Sequence, residues 1–353
     1  MLQYNQHIFD IFFLKKEKLS CKIIHDSSGG IDMKKYLGMI LTVIGVITFV
    51  TLGFVFSPIK LDQLQLNTLL TVAIICGASA LYCFVVGELT MNNSQMDKLW
   101  SILPLAYTWV IAAKSDFNPR CTIFAIIVTL WGLRLTYNFA RKGAYSIKFW
   151  TGEEDYRWQV LRQNKYLHSR PAWMAFDLLF ISIYQNALVL AICLPSLAVM
   201  ESAAPFAWGD YIAIGGSIVF LLIEAIADEQ QMAFHTNKRK MLNEGHTLEE
   251  LPEPFSKGFN TTGLWSRSRH PNYLGEQGIW LSLYFFVIGA GVASNGVFHW
   301  SMAGAFLLIF LFLGSSSFQE GVSASKYPEY KLYLEHVSKY LPLWKYKPEN
   351  YKE

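Results

Sequence analysis

The chain has 353 residues, of which 52% are hydrophobic and only 16% charged, and its formal net charge is +3. Because soluble domains carry about 25% charged residues, this balance argues against a soluble domain and indicates a membrane protein. Five cysteines form neither a CxxC pair nor a metal-ligand spacing, so the sequence supports no disulfide framework and no metal site.

The N-terminal 32 residues do not read as a secretory signal, since their short apolar stretch (8–14) is followed rather than preceded by lysines. Met33 begins a cleaner start, with Lys34 and Lys35 ahead of a long apolar run. We interpret residues 1–32 as either a poorly ordered extension or the product of an upstream start codon. One helical membrane domain is expected over residues 33–347.

Apolar runs set the predicted fold. A bilayer core of about 30 Å needs about 20 mostly apolar residues in a helix. Eight runs of this kind lie near 36–56, 67–87, 98–113, 121–140, 172–200, 209–227, 277–293 and 299–317. The predicted fold is therefore all-α, a polytopic membrane protein with about eight transmembrane helices.

The basic residues predict the orientation in the membrane. Segments 141–171 and 228–276 are rich in lysine and arginine, whereas segments 201–208 and 294–298 contain neither. By the positive-inside rule, the two basic segments are cytoplasmic, and counting spans from them places both termini in the cytoplasm. No pattern of basic and aromatic residues beyond these loops indicates nucleic-acid binding.

Two apolar runs carry charged residues on one helix face. Arg134, Asn138 and Arg141 follow an i, i+4, i+7 spacing, and a face with two guanidinium groups suits phosphate oxygens. The alternative is that Arg134 snorkels to the lipid headgroups.

Glu224 and Asp228 share a face with Gln231. They are either partners of Arg134 or Arg141 inside the bundle, or carboxylates that bind a ribose hydroxyl or a cofactor amide.

The stretch "RSRHPNYLGEQGIW" (267–280) gathers polar residues at the start of an apolar run. Its His-Pro pair interrupts any helix, and Asn272 and Glu276 then share a face of the next one. The N-terminus of that helix favours an anionic ligand, with Arg269 and His270 as donors beside it. A membrane anchor with a helix cap would explain the arginines but not the complete motif. The stretch therefore predicts a ligand site.

The segments around this motif resemble a known membrane family. "SRSRHPNYLGEQGIWLSLYFF", with "EAIADEQQMAFHTNK" before it and "SASKYPEYKLYLEHVSKYLPLW" after it, resembles the steroid 5-alpha-reductase type. More narrowly, these segments resemble a bacterial-type branch whose conserved domain carries no assigned function. The resemblance covers about residues 70–347. It implies a helical protein that binds NADPH on its cytoplasmic side and reduces a double bond conjugated to a ketone in a sterol or other lipid.

The resemblance also implies roles for individual residues. It implies cofactor contacts at Arg134, Arg141, Asp228, Asn272, Tyr273 and Glu276, and closure of the site from the tail by Tyr327, Tyr330 and Lys331. Asn138, Arg269 and His270 are further expected contacts, from the helix face and the motif described above. In one respect the chain departs from the family, because Trp131 stands where a catalytic tyrosine is expected. Glu88 is then the expected proton donor, with Tyr107 or Tyr137 at the substrate carbonyl. Steroid specificity does not follow.

Two other classes of function stay open. Isoprenylcysteine carboxyl methyltransferase, which uses S-adenosylmethionine, shares the Arg-His-Pro-x-Tyr core and the Tyr-x-x-Tyr tail. Glu276, the acidic face of Glu224 and Asp228, and Gln319-Glu320 in place of a glutamate pair favour the reductase. An integral membrane protein without catalysis would leave the polar motif unexplained. The sequence determines neither the substrate nor the oligomeric state.

Overall fold

The protein is described by a computed structural model over residues 33–293, 295–343 and 346, with side chains from Ile40 onward. Residues 1–32, predicted as an N-terminal extension, lie outside these residues.

Every regular element of the described residues is helical, and the one β-bridge, between Ser268 and Ser338, is isolated. The helices are α1 (Met33–Phe56), α2 (Gln63–Thr90), α3 (Gln95–Leu99), α4 (Leu103–Lys114), α5 (Pro119–Ala140), α6 (Tyr156–Arg162), α7 (Arg170–Ala191), α8 (Leu194–Ala198), α9 (Trp208–Asn243), α10 (Pro271–Gly289), α11 (Ala303–Lys326) and α12 (Tyr330–His336). Within α7, residues Asp177–Tyr184 form a π-helical segment. The predicted all-α class is confirmed for the described part of the chain.

Local sequence explains where the site-bearing helices begin. Asn118 accepts a hydrogen bond from the Arg120 amide at 3.0 Å, and Pro119 occupies the first position of α5. Pro271 begins α10 in the same way, because a residue without an N–H costs nothing in the first helical turn. Both prolines fix the point at which an apolar helix starts.

Five helices are long and apolar enough to cross a membrane: α2, α5, α7, α9, and the helical segment Trp300–Lys326 that contains α11. The protein is on this basis an integral membrane protein. All eight predicted runs are largely helical, but α4 has 12 residues and rises about 18 Å, too little for a hydrocarbon core of about 30 Å. The count of eight spans and the orientation stay predictions.

Two helices extend further than the apolar runs indicated. Helix α9 continues to Asn243 and α11 to Lys326, whereas the predicted apolar runs end at residues 227 and 317. The polar extension of α9, "EQQMAFHTNKRK", contains good helix formers and neither glycine nor proline. Hydropathy marks where a helix leaves the bilayer, not where it ends.

The residues pack into two compact units. The larger unit comprises residues 46–230 and 270–312. Its core contains the fully buried Trp131 and Trp280, whose rings meet edge to face with centroids 5.1 Å apart, together with Phe124 and Phe286. Within this unit α5 packs against α4, and α2 packs against the π-helical segment of α7.

Among the described residues, the smaller unit comprises 33–45, 231–269, 313–343 and 346. Its core is a cluster of Phe259, Tyr330, Tyr333, Val337 and Tyr346. The hydroxyl of Tyr333 is buried and donates to the backbone oxygen of Trp265, which joins α12 to the loop before residue 270. The expectation of a single membrane domain over 33–347 stays a prediction.

Candidate functional site

Seven polar side chains from three helices of the larger unit meet in one network, which we call the polar cluster. Its members are Arg134, Asn138 and Arg141 on α5, Glu224 and Asp228 on α9, and Asn272 and Glu276 on α10. The i, i+4 and i+7 spacings noted in the sequence place the members contributed by each helix on one face. Helix periodicity and tertiary packing together therefore create the cluster.

Arg134 is the centre of charge in the polar cluster. Its Nη2 atom lies 2.5 Å from Oε1 of Glu224, and its Nη1 atom donates to Oδ2 of Asp228. The Glu224 side chain is only 3% exposed, so its carboxylate needs this partner to be stable as a charge. The structure shows the first of the two roles predicted for this acidic face, partnership within the bundle, and the second, binding of a cofactor group, stays a prediction. Arg134 holds both carboxylates in place.

Asp228 connects the three helices. Its Oδ2 atom also accepts from Nδ2 of Asn138 at 2.9 Å, and its Oδ1 atom accepts from Nδ2 of Asn272 at 3.4 Å. Asn272 follows Pro271 in the first turn of α10. The carboxylate of Asp228 thus positions the carboxamide that the sequence motif predicted as a ligand contact. Gln231, predicted on the same face as Asp228, hydrogen-bonds His235 instead.

Arg141 has weaker partners than Arg134. Its guanidinium donates to Oδ1 of Asn138 at 2.8 and 3.0 Å and pairs with Glu229, whose side chain is 64% exposed. Exposed ion pairs contribute about 0–1 kcal/mol, so Glu229 is readily exchanged for another anion. The neighbouring Lys142 lies close enough to Arg141 and Asp228 to interact electrostatically. Sequence reasoning did not single out Lys142.

Glu276 is fixed by Trp100, a residue that no sequence motif links to the site. Nε1 of Trp100 donates to Oε1 of Glu276 at 3.0 Å, and the Glu276 side chain is buried. The two residues are separated by 176 positions, so only the tertiary fold brings them together.

Three polar atoms of the cluster are buried without a hydrogen-bond partner among the described residues: Nε of Arg134, Oε2 of Glu224 and Oδ1 of Asn272. A buried polar group left unsatisfied costs about 1–3 kcal/mol, and native proteins rarely leave several together. One donor and two acceptors are therefore able to form hydrogen bonds with a polar ligand or water. This set fits an amide and hydroxyl groups better than a bare phosphate, since the guanidinium of Arg134 is already neutralised.

Near the start of α10, the ring of His270 stacks on Tyr273 with centroids 5.3 Å apart. Tyr273 packs in turn against Phe312, at 4.4 Å between centroids. His270 is buried. The stack fixes the first turn of α10 and, with it, the direction of Asn272.

A segment following α5 folds onto α3 at one end of the larger unit. Nζ of Lys98 donates to the backbone oxygens of Phe149 and Thr151 at 2.9 and 2.7 Å. The carboxylate of Asp97 accepts from Nε1 of Trp158 at 2.8 Å and pairs with Arg157 at 3.3 Å. Burial raises the pKa of Asp97, an effect that the Arg157 charge opposes. These contacts give the predicted cytoplasmic loop 141–171 a defined structure.

The three residues predicted to act on the substrate are not brought together. Glu88 pairs with Arg170 at 2.5 Å and lies near Asp177. Tyr107 is fully buried, and its hydroxyl forms no hydrogen bond within the described residues. Tyr137 is 63% exposed and lies under the guanidinium of Arg141. Each of the three therefore has its own environment, and only Tyr137 touches the polar cluster.

Arg269 has several partners within the smaller unit, and its predicted contact with a ligand stays a prediction. Its Nε atom lies 2.8 Å from Oε1 of Glu320, and its Nη1 atom donates to the backbone oxygens of Leu334, at 2.8 Å, and Val337. These oxygens lie at the C-terminal end of α12, where a positive charge is favourable. The Arg269 guanidinium therefore holds the C-terminal end of α12 in place.

The remaining predicted residues also lie in the smaller unit. Tyr327 and Tyr330 pack against Phe259, with centroids 6.0 and 4.8 Å from its ring. Gly258 has a φ of +81°, and a Cβ there would lie 2.2 Å from the Tyr327 ring, so only glycine fits. Lys331 is exposed. That these three residues close a cofactor site stays a prediction.

Comparison with known proteins gives one family and one relative. A family model described as "Protein of unknown function (DUF1295)" matches residues 83–337. An uncharacterized protein of Schizosaccharomyces pombe is 34% identical over 268 residues, which cover 72% of this chain and 73% of that protein. No solved structure matches the chain at a significant level. Neither match names an activity.

Proposed function

The chain belongs to the DUF1295 family, and for this member we propose an NADPH-dependent membrane oxidoreductase that reduces a carbon–carbon double bond in a lipid or sterol-like enone. The β-carbon gains a hydride and the carbonyl oxygen gains a proton, and the resulting enol tautomerises to the saturated ketone as NADPH becomes NADP⁺. The steroid 5-alpha-reductase resemblance of the sequence around the motif at 267–280 supplies the reaction type.

One observation carries the proposal: the three unsatisfied buried atoms of the polar cluster. Oδ1 of Asn272 is an acceptor for the amide N–H of a nicotinamide carboxamide, and Oε2 of Glu224 is an acceptor for a ribose hydroxyl. Arg134 and Asp228 hold these two side chains in position before a ligand arrives. Preorganised polar groups of this kind bind a ligand at a low cost in ordering.

The phosphate groups of the cofactor need cations that are free to bind them. Arg141 meets this need because its partner Glu229 is exposed, and Lys142 adds a second positive charge beside it. Arg134 is unsuited to this role, since two carboxylates already neutralise it. We therefore assign the phosphates to Arg141 and Lys142, and the neutral polar part of the cofactor to Asn272 and Glu224.

The substrate enters from the bilayer in this proposal. The five apolar helices expose many large hydrophobic side chains, as expected for contact with lipid chains. The cofactor is soluble and anionic, so its site faces the cytoplasm, where the basic loops and both termini are expected. When bound, NADPH supplies the hydride, and the protein contributes orientation and a proton donor at the carbonyl oxygen.

Transfer of deuterium tests this function directly. Detergent-purified protein is incubated with NADPH deuterated at the transferable nicotinamide position and with a panel of sterol, polyprenyl and fatty-chain enones. The proposal expects at least one saturated product that carries a single deuterium at its β-carbon, detected by mass spectrometry. The matched control is the same panel with S-adenosylmethionine in place of NADPH. Methylated lipid in the control and no deuterated product would show that the protein is a methyltransferase.

A further inference from the structure

A tight turn between α5 and α6 lies against α2 and α3 in the larger unit. It comprises residues 147–150, which we call the apolar turn. The side chain of Ile147 is fully exposed and that of Trp150 is 47% exposed, although both are large and apolar. Neighbouring exposed apolar side chains mark a surface that contacts lipid or another protein.

The backbone of the apolar turn is held from the inside of the protein. Three consecutive carbonyl oxygens, those of Phe149, Trp150 and Thr151, accept hydrogen bonds at 2.9, 3.0 and 2.7 Å. The donor is Nζ of Lys98 for the first and third oxygens and Nε2 of Gln95 for the second. Both donor side chains are fully buried. A buried ammonium group requires such partners, so the turn cannot leave α3 without depriving Lys98 of them.

The two carbonyl oxygens that flank these three also have donors from the protein. The Lys148 oxygen accepts from the Ser146 hydroxyl at 2.7 Å and from the Thr151 amide at 2.9 Å. The Gly152 oxygen accepts from Nδ2 of Asn92 at 3.1 Å. Five successive carbonyl oxygens of a non-helical segment are thus satisfied internally. Water would satisfy these oxygens on an exposed loop, whereas at membrane depth the protein itself must supply the partners.

Ring contacts place the apolar turn beside α2 rather than beyond its end. The ring of Phe149 lies 6.5 Å from that of Tyr82 between centroids, and the Tyr82 hydroxyl donates to Oε1 of Gln95 at 3.3 Å. Tyr82 precedes Thr90, the last residue of α2, by eight residues, a rise of about 12 Å at about 1.5 Å per residue. The turn therefore folds back along α2, toward the apolar part of that helix.

The surface of α2 next to the turn is apolar and exposed. Leu81, Val85 and Leu89 follow an i, i+4, i+8 spacing on one face, and Leu81 is the neighbour of Tyr82 in the chain. Helix α2 is long and apolar enough to cross a membrane, so we expect this stripe to contact acyl chains. The side chains of the apolar turn lie beside a surface that already faces lipid.

We propose that the apolar turn is a membrane anchor that inserts into the interfacial region of the bilayer. Ile147 and Trp150 contact acyl chains, and the ammonium group of Lys148, which is exposed between them, reaches the phosphate groups of the lipids. Tryptophan suits this depth because its ring is apolar and its N–H is polar. The buried contacts of Lys98 determine how deeply the turn inserts. This anchoring role does not depend on the proposed reductase activity.

Collision measurements on spin labels test the depth of the apolar turn. One cysteine at a time is added by Ile147→Cys, Lys148→Cys or Trp150→Cys and labelled, and the full chain is reconstituted in vesicles of phosphatidylcholine and phosphatidylglycerol. Oxygen concentrates among acyl chains and a nickel chelate stays in water, so the ratio of the two collision rates measures depth. Leu81→Cys, on the exposed stripe of α2, gives the hydrocarbon reference. Glu244→Cys, at an exposed position after α9, gives the aqueous reference.

We expect the labels at residues 147 and 150 to give oxygen-to-chelate ratios shifted from the aqueous reference toward the hydrocarbon reference. The label at residue 148 should give a lower ratio than its two neighbours, because this side chain points toward the headgroups. The unsubstituted protein, labelled in the same way, gives the background of the native cysteines. Ratios at 147 and 150 equal to that of Glu244→Cys would place the turn in water and overturn the proposal. Low collision rates with both reagents would overturn it too, since a protein surface would then cover the turn.

Discussion

Nδ2 of Asn272 donates to Oδ1 of Asp228 across 3.4 Å and so links the first turn of α10 to the middle of α9. The bond leaves Oδ1 of Asn272 buried and without a partner among the described residues. An oriented carboxamide with one free acceptor is suited to recognise an amide group. This relationship connects the sequence motif at 267–280 to a defined binding geometry.

Replacing Asn272 by alanine tests that geometry. We expect Asn272→Ala to weaken NADPH binding about tenfold, which corresponds to about 1.4 kcal/mol, because one hydrogen bond to the cofactor is lost. Titration of the detergent-purified variant measures the change. Asn243→Ala, at the exposed end of α9, is the matched control and should bind as the wild type does. Unchanged affinity in folded Asn272→Ala would remove Asn272 from the site.

Arg134 should contribute far more to stability than Arg141. Removing the Arg134 charge leaves Glu224 and Asp228 buried and unpaired, so Arg134→Gln should lower the free energy of unfolding by about 3–5 kcal/mol. Arg141→Gln loses a pair with an exposed carboxylate and should cost about 0–1 kcal/mol. Thermal unfolding in detergent compares the two variants. Equal losses of stability would contradict the assignment of Arg134 as the centre of the network.

Arg141 should in turn dominate the electrostatic part of cofactor binding. Arg141→Gln is expected to weaken NADPH more than NADH, since NADPH carries one more phosphate group and Arg141 pairs with an exchangeable carboxylate. Parallel titrations of both cofactors at low and high salt give the comparison. An equal effect on NADPH and NADH would place the additional phosphate at another residue.

Removal of the buried hydroxyl of Tyr107 should affect stability and activity differently. It forms no hydrogen bond within the described residues, so Tyr107→Phe should leave the protein equally or more stable. We expect the same variant to lose turnover, because a hydroxyl retained at a cost in stability indicates a functional role. Tyr211→Phe, at a 66% exposed ring on α9, is the control and should alter neither property. Full activity in Tyr107→Phe would exclude it as the carbonyl donor.

Arg269 is expected to hold the C-terminal tail. Arg269→Ala removes the donor to the Leu334 and Val337 oxygens and one ion-pair partner of the buried Glu320. Limited proteolysis should then cleave the segment around residues 330–343 faster than in the wild type. Wild-type resistance to the protease would mean that the aromatic cluster around Tyr333 holds the tail without Arg269.

Much of this architecture follows from residue spacing. Apolar run lengths located the helices, and the i, i+4, i+7 pattern of Arg134, Asn138 and Arg141 correctly indicated one shared face. The pattern at Glu224 and Asp228 also indicated partners for the arginines, as one of two alternatives. Local periodicity determines which side chains of one helix point together, so these features are readable from sequence.

Other features depend on packing between distant segments. No pattern in the sequence joins Trp100 to Glu276 or identifies Asp228, rather than Glu224, as the residue that links three helices. Glu88 was selected for its position at a helix end, but its partners Arg170 and Asp177 emerge only from the contact between α2 and α7. The apolar runs stop short of the ends of α9 and α11 because polar residues continue both helices.

The central claim is that the polar cluster binds NADPH. Its most direct test is a titration of the detergent-purified protein with NADPH and S-adenosylmethionine side by side. The account predicts saturable binding of NADPH, weakened in Asn272→Ala, and no saturable binding of S-adenosylmethionine. Binding of S-adenosylmethionine alone, or NADPH binding that Asn272→Ala leaves intact, would contradict it.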